Sequence, residues 1–525
     1  MLFEHFLLLI LAILPIIYKY SFWFYVIQLK EYRLDRFKEY LSTKQWKSAI
    51  INIWSIIEIP LFLIWFTIFF NKPFEIINYN ILFYFLIIYN LFVVWKILRK
   101  NFIKPKITGR LLLIIFLFLI WASIDLYSLI FWWYINWIYF YIPFVLFFSP
   151  VIIFFYVLLS LPIVNYLKKK KINTAIKKSH KNKKTIKIGI TWSYWKSSVK
   201  EYLSTILEQD WKTLKTPENI NTELWVSDIV INKLKDSYKY FVAEMWAYKI
   251  WEIELLWRIV NHKYGFLTAI GNQHIALFWS QKNIKKGKSE IENSVFKNDW
   301  ILYINWNNKL IRETIFNKNL NIIKYWNRND VDAKYNIVWI KNWITKFEFL
   351  YKNHSFLFET KLLWEHNILN LTWVIAFCYD LWMTTLEIKK YLKKIKSPKN
   401  TLNIIKNEKY TLIDDSYNLS EDWLYAWLDT ISSFKWEKIL VIDDILELWK
   451  KAEKIHFEIA KKIAKNNQID KILFCWINYK KSFIEWLIKW WFKQKNILQD
   501  LDNIKEKSII LFEWRNTNKY INKFK

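Results

Sequence analysis

The sequence predicts an α-helical membrane region over residues 1–166, a basic linker at 167–185, and two α/β domains at 186–396 and 397–525. Long apolar runs fill the first third of the 525 residues. Beyond residue 185, short apolar strands alternate with amphipathic helix patterns, which is typical of α/β domains with parallel sheets. This change of pattern places the boundary between the membrane region and the α/β domains.

The membrane region is predicted from apolar runs of about 20 residues, the length of a helix that crosses a bilayer. These runs are 2–27, 49–70, 81–95, 111–134 and 138–164, of which the first contains Lys19 and the third is short. No small-residue cleavage site follows the first run, so we expect no cleaved signal peptide. The sequence therefore predicts about five transmembrane helices.

Basic loops alternate with nearly uncharged loops along the membrane region. Residues 29–47 and 96–110 each contain six Lys or Arg, and Lys168 to Lys171 follow the last run. Because cytoplasmic loops carry an excess of Lys and Arg, five spans place the N-terminus outside and the α/β domains in the cytoplasm. We expect a multi-pass protein of the cytoplasmic membrane, with the basic linker close enough to contact anionic lipids.

Tryptophan and glycine occur in unusual proportions. The chain has 34 Trp and only 5 Gly, whereas ordinary usage predicts roughly 37 Gly in a chain of this length. Some bacterial lineages read the UGA codon as glycine, and a translation that assigns Trp to UGA would give this composition. The alternative is a genuinely Trp-rich membrane protein, since Trp favours membrane interfaces. A preference for membrane interfaces does not explain Trp246 and Trp449, because both lie beyond the membrane region. We therefore interpret most Trp of the α/β domains as Gly positions.

A phosphate-binding loop is predicted after the first α/β strand. The segment is Thr191-Trp-Ser-Tyr-Trp-Lys-Ser-Ser198, between a short apolar strand and an amphipathic helix. The helix N-terminus offers free N–H groups, Lys196 a cation, and Ser197 a hydroxyl for Mg²⁺, which together suit nucleotide phosphates. A loop that wraps phosphate needs Gly where Trp192 and Trp195 stand.

With Gly at both Trp positions, this loop resembles the nucleotide loop of the Mur ligases, which are ATP-dependent amide-forming enzymes of peptidoglycan synthesis. Residues 216–226 resemble the Thr-x-x-Asn-x-Asn-Asn-x-x-Gly-Val stretch of the D-alanyl-D-alanine-adding branch, with Thr222 replacing the second Asn of the pair. The resemblance covers residues 186–525 and implies a central P-loop-type ATPase domain and a C-terminal Rossmann-like domain. The ATP-binding candidates in the loop are Thr191, Trp192, Ser193, Trp195, Lys196, Ser197 and Ser198.

The next motifs imply a metal site. Glu244 lies near the end of a strand beside the phosphate loop, where a carboxylate can hold Mg²⁺. His274 lies at the family's metal-binding His position, and Lys288 lies where the family has a lysine whose carbamate helps to organise a second Mg²⁺. Taken alone, a Glu at the position of Glu244 is more often a capping residue than a metal ligand, and a lone His such as His274 is more often a packed or surface residue. The resemblance implies ATP and Mg²⁺ as cofactors, metal ligands at Ser197, Glu244, His274 and Lys288, and catalytic roles for Lys196, His274 and Lys288.

Two further regions extend the resemblance towards the C-terminus. Residues 363–370 resemble the family's Gly-x-His-Asn-x-x-Asn motif, which meets the adenine, so His366, Asn367 and Asn370 are nucleotide candidates. The stretch 389–399 is basic, is expected to be poor in helix, and contains Pro398, which indicates a domain boundary.

The last domain carries three more motifs. Residues 413–418 match the family's Asp-Asp-Ser-Tyr-Asn motif, and residues 438–449 resemble Val-Leu-Gly-Asp-Met-Leu-Glu-Leu-Gly. Residues 512–515 resemble a Lys-Gly-Ser-Arg turn, with Glu513 in place of Lys. The acids and Tyr417 are also consistent with strand-end caps. The substrate contacts implied by the resemblance are Asn219, Asn221, Thr222, Asp415, Tyr417, Asn418 and Arg515.

The resemblance implies a ligase that adds D-alanyl-D-alanine to the carboxylate of a muramoyl-peptide precursor through an acyl phosphate. The family's N-terminal domain, which holds the UDP end of the substrate, has no counterpart here, and membrane spans occupy its place. Either the spans position a membrane-bound acceptor, or another protein of cell-wall synthesis supplies nucleotide-sugar recognition. Two alternatives stay open: a Mur-like ligase that acts on another carboxylate, and a membrane scaffold with a dead nucleotide site if the loop Trp are real.

Charge and cysteine content add little to this interpretation. The formal net charge is +31, but a genome of low GC content, which favours Lys, Ile and Asn codons, would account for much of the Lys excess. The charge is therefore weak support for nucleic-acid binding, and we expect no nucleic-acid partner. Cys378 and Cys475 match no metal or disulfide pattern, which is consistent with a reducing cytoplasm.

Overall fold

The computed structural model divides the chain into two compact units, Met1–Lys170 and Lys171–Lys525. It describes residues 2–30, 32, 75–131, 138–191, 196–217, 221–247, 249–270, 278, 280–292, 301–314, 316–341, 344–363, 365–396, 403–406, 409–415, 424, 436–443, 452–465, 469–475, 480–490, 492–502, 504–513, 517–521 and 524.

The first unit is built from apolar helices. They are α1 (Leu2–Leu29), α2 (Glu75–Leu98), α3 (Gly109–Phe131), α4 (Ile138–Phe147) and the beginning of α5 (Ser149–Lys181). Within the described part of the chain, three segments are long and apolar enough to cross a membrane: Phe6–Leu29, Asn80–Leu98 and Ser149–Lys181. The apolar run predicted at 49–70 lies outside the described residues.

Two of the predicted runs differ from the helices found. The run at 81–95 belongs to a longer helix, α2, of 24 residues. The run at 138–164 is divided between α4 and α5. Pro150 follows the first residue of α5, and proline favours the first turn of a helix because that turn leaves its N–H groups without intrahelical partners.

Helix α5 continues beyond its apolar half into the predicted basic linker, which is helical as far as Lys181. Two apolar residues of this lysine-rich segment, Ile172 and Ala175, are buried in a core cluster of the second unit. Lys187 of the following strand donates from Nζ to the carbonyl oxygens of Ser179 (2.7 Å) and Asn182 (2.6 Å). Burial lowers the pKa of Lys187 to about 8. A buried ammonium thus binds backbone carbonyls at the end of α5, where the helix dipole favours a cation.

The central part of the second unit is a nine-stranded mixed sheet in the order β2-β3-β1-β4-β5-β6-β7-β8-β9. The strands from β2 to β7 in this order pair in parallel, and β8 and β9 add antiparallel pairs at one edge. The strands are β1 (Ile186–Thr191), β2 (Thr213–Lys215), β3 (Tyr240–Met245), β4 (Tyr264–Leu267), β5 (Ile301–Asn305), β6 (Asn321–Trp326), β7 (Ala333–Lys341), β8 (Ile344–Tyr351) and β9 (His354–Thr360).

Helices cover both faces of this sheet, which confirms the α/β pattern predicted beyond residue 185. One core cluster joins α6 and α11 to the sheet, and another joins α7, α8 and α9 to its other face. The helices are α6 (Lys196–Leu207), α7 (Glu223–Asn232), α8 (Glu252–Val260), α9 (Gln281–Ser289), α10 (Lys309–Arg312), α11 (Glu365–Asp380) and α12 (Thr385–Leu392).

Helix α11 ends in a Schellman motif at a Trp. The Trp382 N–H donates to the carbonyl of Tyr379 (3.0 Å), and the Met383 N–H donates to that of Cys378 (3.2 Å). Trp382 has φ 66° and is 93% exposed. Glycine usually occupies this position because a left-handed backbone strains a residue with a Cβ. The geometry supports the interpretation of Trp382 as a Gly position.

The expectation that residues 389–399 are poor in helix is wrong as far as Leu392. Thr384 and Glu387 form a capping box that starts α12. Ile388 and Tyr391 are buried on one side of this helix, so tertiary packing supports a helix in a strongly basic segment.

The C-terminal part contains a second, six-stranded sheet in the order β10-β11-β15-β12-β13-β14. Only the β10–β11 pair is antiparallel among the described pairs of this sheet. The elements are β10 (Asn403–Lys406), β11 (Tyr410–Asp415), β12 (Glu437–Ile442), α13 (Ala452–Lys465), β13 (Lys471–Phe474), α14 (Lys480–Lys489), a 3₁₀ turn (Gln494–Asn496), β14 (Ile497–Leu498), β15 (Ser508–Glu513) and α15 (Asn518–Ile521).

Candidate active site

The predicted phosphate loop follows the carboxyl end of β1, where the strand order of the large sheet reverses. β1 pairs with β3 on one side and β4 on the other. Open α/β sheets bind ligands at such a switch point. The predicted strand and helix on either side of the loop are confirmed: β1 ends at the buried Thr191 and α6 begins at Lys196. Trp192, Ser193 and Trp195 lie outside the described residues.

Glu244 lies beside this loop, on the neighbouring strand and in register with Ile190. Its Oε2 accepts a hydrogen bond from Ser197 Oγ (3.2 Å), so the structure brings together two of the predicted metal ligands. Its Oε1 accepts from Asn221 Nδ2 (3.0 Å), and its backbone N–H donates to Thr216 Oγ1 (3.0 Å). The carboxylate is thereby fixed at the edge of the sheet.

The oxygen atoms at this edge fit a magnesium ion. A hydroxyl and a carboxylate are the oxygen ligands that Mg²⁺ prefers in proteins, and Ser197 and Glu244 provide them within hydrogen-bond distance of each other. The buried Thr191 Oγ1 makes no hydrogen bond to the described residues, which leaves a polar atom available beside the loop. Within the described segments, no three His, Cys, Asp or Glu side chains form a metal cluster.

Lys200 is a residue of this site that the sequence interpretation missed. Its Nζ lies 3.1 Å from Glu244 Oε2, and the side chains of Lys200 and Glu244 are 0% and 2% exposed. A signal was present in the sequence, because Lys200 lies three and seven residues before Leu203 and Leu207, on the apolar face of α6. A lysine on that face needs a buried partner.

The remaining predicted metal ligands are only partly described. Lys288 lies on α9 and is 1% exposed, whereas His274 lies outside the described residues. Glu290, just after α9, accepts hydrogen bonds from the backbone N–H groups of Trp251 (2.5 Å) and Glu254 (3.2 Å) at the start of α8. Burial raises the pKa of Glu290 to about 6, although these hydrogen bonds oppose the shift.

The predicted adenine candidates lie at the start of α11. Asn367 Oδ1 accepts a hydrogen bond from the hydroxyl of Tyr202 (2.9 Å), which joins this motif to the helix that follows the phosphate loop. Desolvation lowers the pKa of His366 to about 3, so its imidazole is neutral near pH 7. Asn370 is 0% exposed, and its amide makes no hydrogen bond to the described residues. In this structure the amide is enclosed, so the adenine role of Asn370 stays a prediction.

The predicted substrate residues are divided between two places. Asn221 contacts Glu244, and Thr222 caps α7 without a side-chain hydrogen bond to it. Asp415 ends β11 and lies in register with Glu513 of β15. Asn219, Tyr417, Asn418 and Arg515 lie outside the described residues.

Three acidic side chains are buried together at the carboxyl edge of the smaller sheet. Asp415, Asp443 and Glu513 are 1%, 2% and 0% exposed. Burial, with a further contribution from the charge of Asp415, raises the pKa of Glu513 well above its ordinary value. The sequence placed these acids at strand ends, but it did not indicate that they would be almost fully buried.

Comparison with protein families matches residues 190–378 to the Mur ligase middle domain. Among curated relatives, the chain is 28% identical over 288 residues to the UDP-N-acetylmuramoyl-tripeptide–D-alanyl-D-alanine ligase of Buchnera aphidicola subsp. Baizongia pistaciae. That match covers 53% of this chain and 61% of the relative. The ligase of the same name from Escherichia coli K12 is 26% identical over 297 residues, which cover 54% of this chain and 63% of the relative. The chain therefore spans less than two thirds of these relatives' lengths.

Comparison with solved structures supports the fold. MurF from Acinetobacter baumannii matches with a TM-score of 0.61 at 21% identity, over 68% of this chain and 80% of that chain. The MurF ligase from Thermotoga maritima in complex with ADP matches with a TM-score of 0.59 at 20% identity, over 68% of this chain and 83% of that chain. At these identities the likeness establishes a common α/β architecture.

Proposed function

We propose that this chain, in which residues 190–378 form a Mur ligase middle domain, is an ATP-dependent ligase that adds D-alanyl-D-alanine to a muramoyl-peptide carboxylate. The observation that carries the proposal is the contact between Ser197 and Glu244 at the end of β1, beside the predicted phosphate loop. The curated relatives of matching sequence are ligases for this pair of substrates.

In the proposed reaction, a carboxylate oxygen of the muramoyl-peptide bonds to the γ-phosphorus of ATP, and ADP leaves. The amine nitrogen of D-alanyl-D-alanine then bonds to the acyl carbon, phosphate leaves, and the amine gives up a proton to water. Lys196 and the free N–H groups at the start of α6 bind the phosphates. Bound Mg²⁺ would supply positive charge to the phosphoryl group during transfer.

The other site residues hold or orient these groups. Ser197 and Glu244, together with His274 and a carbamylated Lys288, are the proposed metal ligands. Asn221 donates to the Glu244 carboxylate, and Thr216 holds the backbone N–H of the same residue. His366, Asn367 and Asn370 are the proposed adenine contacts. We expect the C-terminal part to close on the central part when substrates bind.

The experiment is a measurement of phosphate release and product mass with full-length protein in detergent. Because indoles would fill the phosphate space, the active form carries Trp192→Gly and Trp195→Gly. We expect release that requires ATP, the muramoyl-tripeptide and D-alanyl-D-alanine together. Lys196→Ala in the same background should lower the rate by on the order of 10³-fold, since phosphoryl transfer depends on charge stabilisation.

Lys212→Ala is the matched control, because Lys212 is an exposed lysine of the same domain, and it should leave the rate unchanged. Phosphate release at the same rate with and without D-alanyl-D-alanine would contradict the substrate assignment. No release from the Gly-containing protein would contradict the ligase itself.

A lipid-linked acceptor is a second candidate, favoured by the apolar helices that precede the second unit. A membrane-bound enzyme can reach a peptide that is linked to an undecaprenyl carrier in the same membrane. Supplying the acceptor in both forms, UDP-linked in solution and undecaprenyl-linked in vesicles, decides between them. Turnover of the lipid-linked form alone supports the second candidate, and turnover of the UDP-linked form alone removes it.

A further inference from the structure

The last part of helix α5 packs against α7, and its contacts fix the direction in which it runs. Lys171 Nζ lies 2.8 Å from Asp228 Oδ1. Further along α5, Lys178 Nζ donates to the carbonyl oxygen of Ile231 (2.5 Å). Later residues of α5 therefore contact later residues of α7, so the two helices run parallel to each other.

Helices α7 and α8 both run from the carboxyl edge of the large sheet, where its parallel strands end, to the opposite, amino edge. α7 follows Asn221, whose side chain contacts Glu244 near the end of β3, and it ends before β3 begins. α8 follows β3 and ends before β4 begins. The carbonyl oxygen of Val260, the last residue of α8, accepts a hydrogen bond from Ser179 Oγ (2.7 Å). The end of α5 therefore lies at the amino edge.

The beginning of the second unit lies towards the carboxyl edge. Lys171, its first residue, precedes Ser179 by eight residues of helix, which rise by about 12 Å along the axis. α8 has nine residues and is therefore about 13 Å long. The chain thus enters the second unit at about the level at which α8 begins, and this is the edge that carries the candidate active site.

A short segment connects this entry point to an apolar stretch. Ser149–Lys181 is long and apolar enough to cross a membrane, and its apolar part ends at Leu167. Lys171 is four residues further on, a distance of about 6 Å in a helix and of at most about 14 Å in an extended chain. With the apolar part in a bilayer, chain length alone holds Lys171 within that distance of the lipid surface.

We infer that the carboxyl edge of the large sheet faces the lipid surface, so that the candidate active site receives the peptide of a lipid-linked acceptor from the bilayer. The inference rests on the proposed ligase function and on the insertion of α5 in the membrane. Lys187 strengthens the attachment of α5, because its ammonium binds the carbonyl oxygens of Ser179 and Asn182 at the end of the helix.

The test compares how close the two edges lie to the bilayer, in untagged full-length protein in lipid nanodiscs without ATP or acceptor. Lys249→Cys places a thiol before α8, and Lys263→Cys places one after it; each replaces an exposed lysine. Each thiol carries a fluorophore, and some lipids carry a Ni²⁺ chelate on the headgroup as a short-range quencher. Quenching should be at least about twofold stronger before α8 than after it, because the length of the helix, about 13 Å, separates the two positions.

The background and the controls use other positions of the same chain. Cys475→Ser removes a partly exposed thiol, whereas Cys378 can stay, because it is fully buried and burial raises the pKa of its thiol. Trp225→Cys and Lys233→Cys form a second pair near the two ends of α7 and should give the same order. A linker of about 20 Gly and Ser residues inserted after Leu167 should abolish the difference, because its average span is about 25 Å.

Equal quenching at the two ends of α8, or stronger quenching after it, would overturn the inference. A difference that persists unchanged with the linker would also overturn it, because another surface would then hold the second unit at the bilayer. The quenching needs no turnover, whereas the ligase proposal is tested by substrate-dependent phosphate release, so a failure of one is distinguishable from a failure of the other.

Discussion

At the scale of single residues, Glu513 has the most unfavourable environment among the acids with a described pKa shift. It ends β15, is fully buried, and neither of its carboxylate oxygens makes a hydrogen bond to the described residues. The Mur ligase motif that it resembles has Lys at this position. Burial, with a further contribution from the charge of Asp415, raises the pKa of Glu513 well above 4.5.

We predict that Glu513→Gln stabilises the protein increasingly as the pH rises from about 5 to 8. Above the ordinary pKa, the unfolded state releases a proton that the folded state keeps. The unfolded state then binds fewer protons, so this group costs the folded state about 1.4 kcal/mol per pH unit until its raised pKa is reached. Denaturant unfolding of wild type and variant across this pH range measures the difference.

The control for this prediction is Glu506→Gln, since Glu506 is exposed and pairs with Lys409 at the surface. It should show no pH-dependent difference from wild type. A Glu513→Gln variant that is destabilised equally at every pH would mean that Glu513 is charged and paired in the folded protein.

At the scale of secondary-structure elements, two helix ends are shaped by residues with left-handed backbone. Trp251 precedes α8 with φ 78°, and Trp382 follows α11 with φ 66°. Both indoles are largely exposed, at 64% and 93%, so side-chain packing does not explain the residue type. Both belong to the Trp residues of the α/β domains, most of which the composition indicates as Gly positions.

We predict that Trp251→Gly and Trp382→Gly each raise the free energy of unfolding by about 1 kcal/mol, because Gly removes the cost of a left-handed conformation. Trp225→Gly is the matched control, since Trp225 is exposed but lies inside α7. There Gly should destabilise by about 0.5 kcal/mol through lower helix propensity. Thermal unfolding compares the three variants.

Peptide masses from the source cell give an independent result for the same helix ends. Gly masses at 251 and 382 would establish that the cell reads these codons as glycine. Trp masses at both would remove the recoding hypothesis, and with it the expectation that residues 192 and 195 leave room for phosphate.

At the scale of the whole molecule, one chain combines apolar helices with an α/β enzyme fold. Three helices of the first unit are long and apolar enough to cross a membrane, and helices α7 to α9, α6 and α11 enclose the large sheet of the second unit. The exposed surface of α2 and α3 includes Leu91, Phe116 and Trp121. Side chains of this kind are stable on a surface that faces lipid.

We predict that the protein stays in the membrane pellet after extraction with alkaline carbonate, because apolar spans are not released when surface charges are disrupted. Immunodetection of residues beyond 171 in pellet and supernatant measures this. In inside-out vesicles, protease should degrade that part of the chain, whereas intact spheroplasts should protect it. Release by carbonate would contradict membrane insertion, and cleavage in spheroplasts would contradict the orientation.

Local sequence patterns were enough to predict the alternation of strands and helices beyond residue 185 and the strand and helix on either side of the predicted phosphate loop. The apolar runs of the first third and the strand-helix alternation beyond residue 185 are local patterns of hydrophobic residues. Such patterns can be recognised without knowing which residues are in contact. The strand before the loop and the helix after it follow from the same local signals. Glu244 was found because it belongs to a motif close to a strand end.

Which side chains meet depends on how distant segments pack, and local sequence patterns do not show this. Lys200 and Glu244 are 44 residues apart, and Tyr202 and Asn367 are 165 residues apart, so no periodicity connects them. The burial of Glu513 beside Asp415 likewise depends on parallel pairing of β15 with β11. The contacts of Glu244 and Glu513 arise because parallel strands bring the carboxyl ends of distant segments to one edge of a sheet. Tyr202 and Asn367 meet because α6 and α11 pack in the same core cluster.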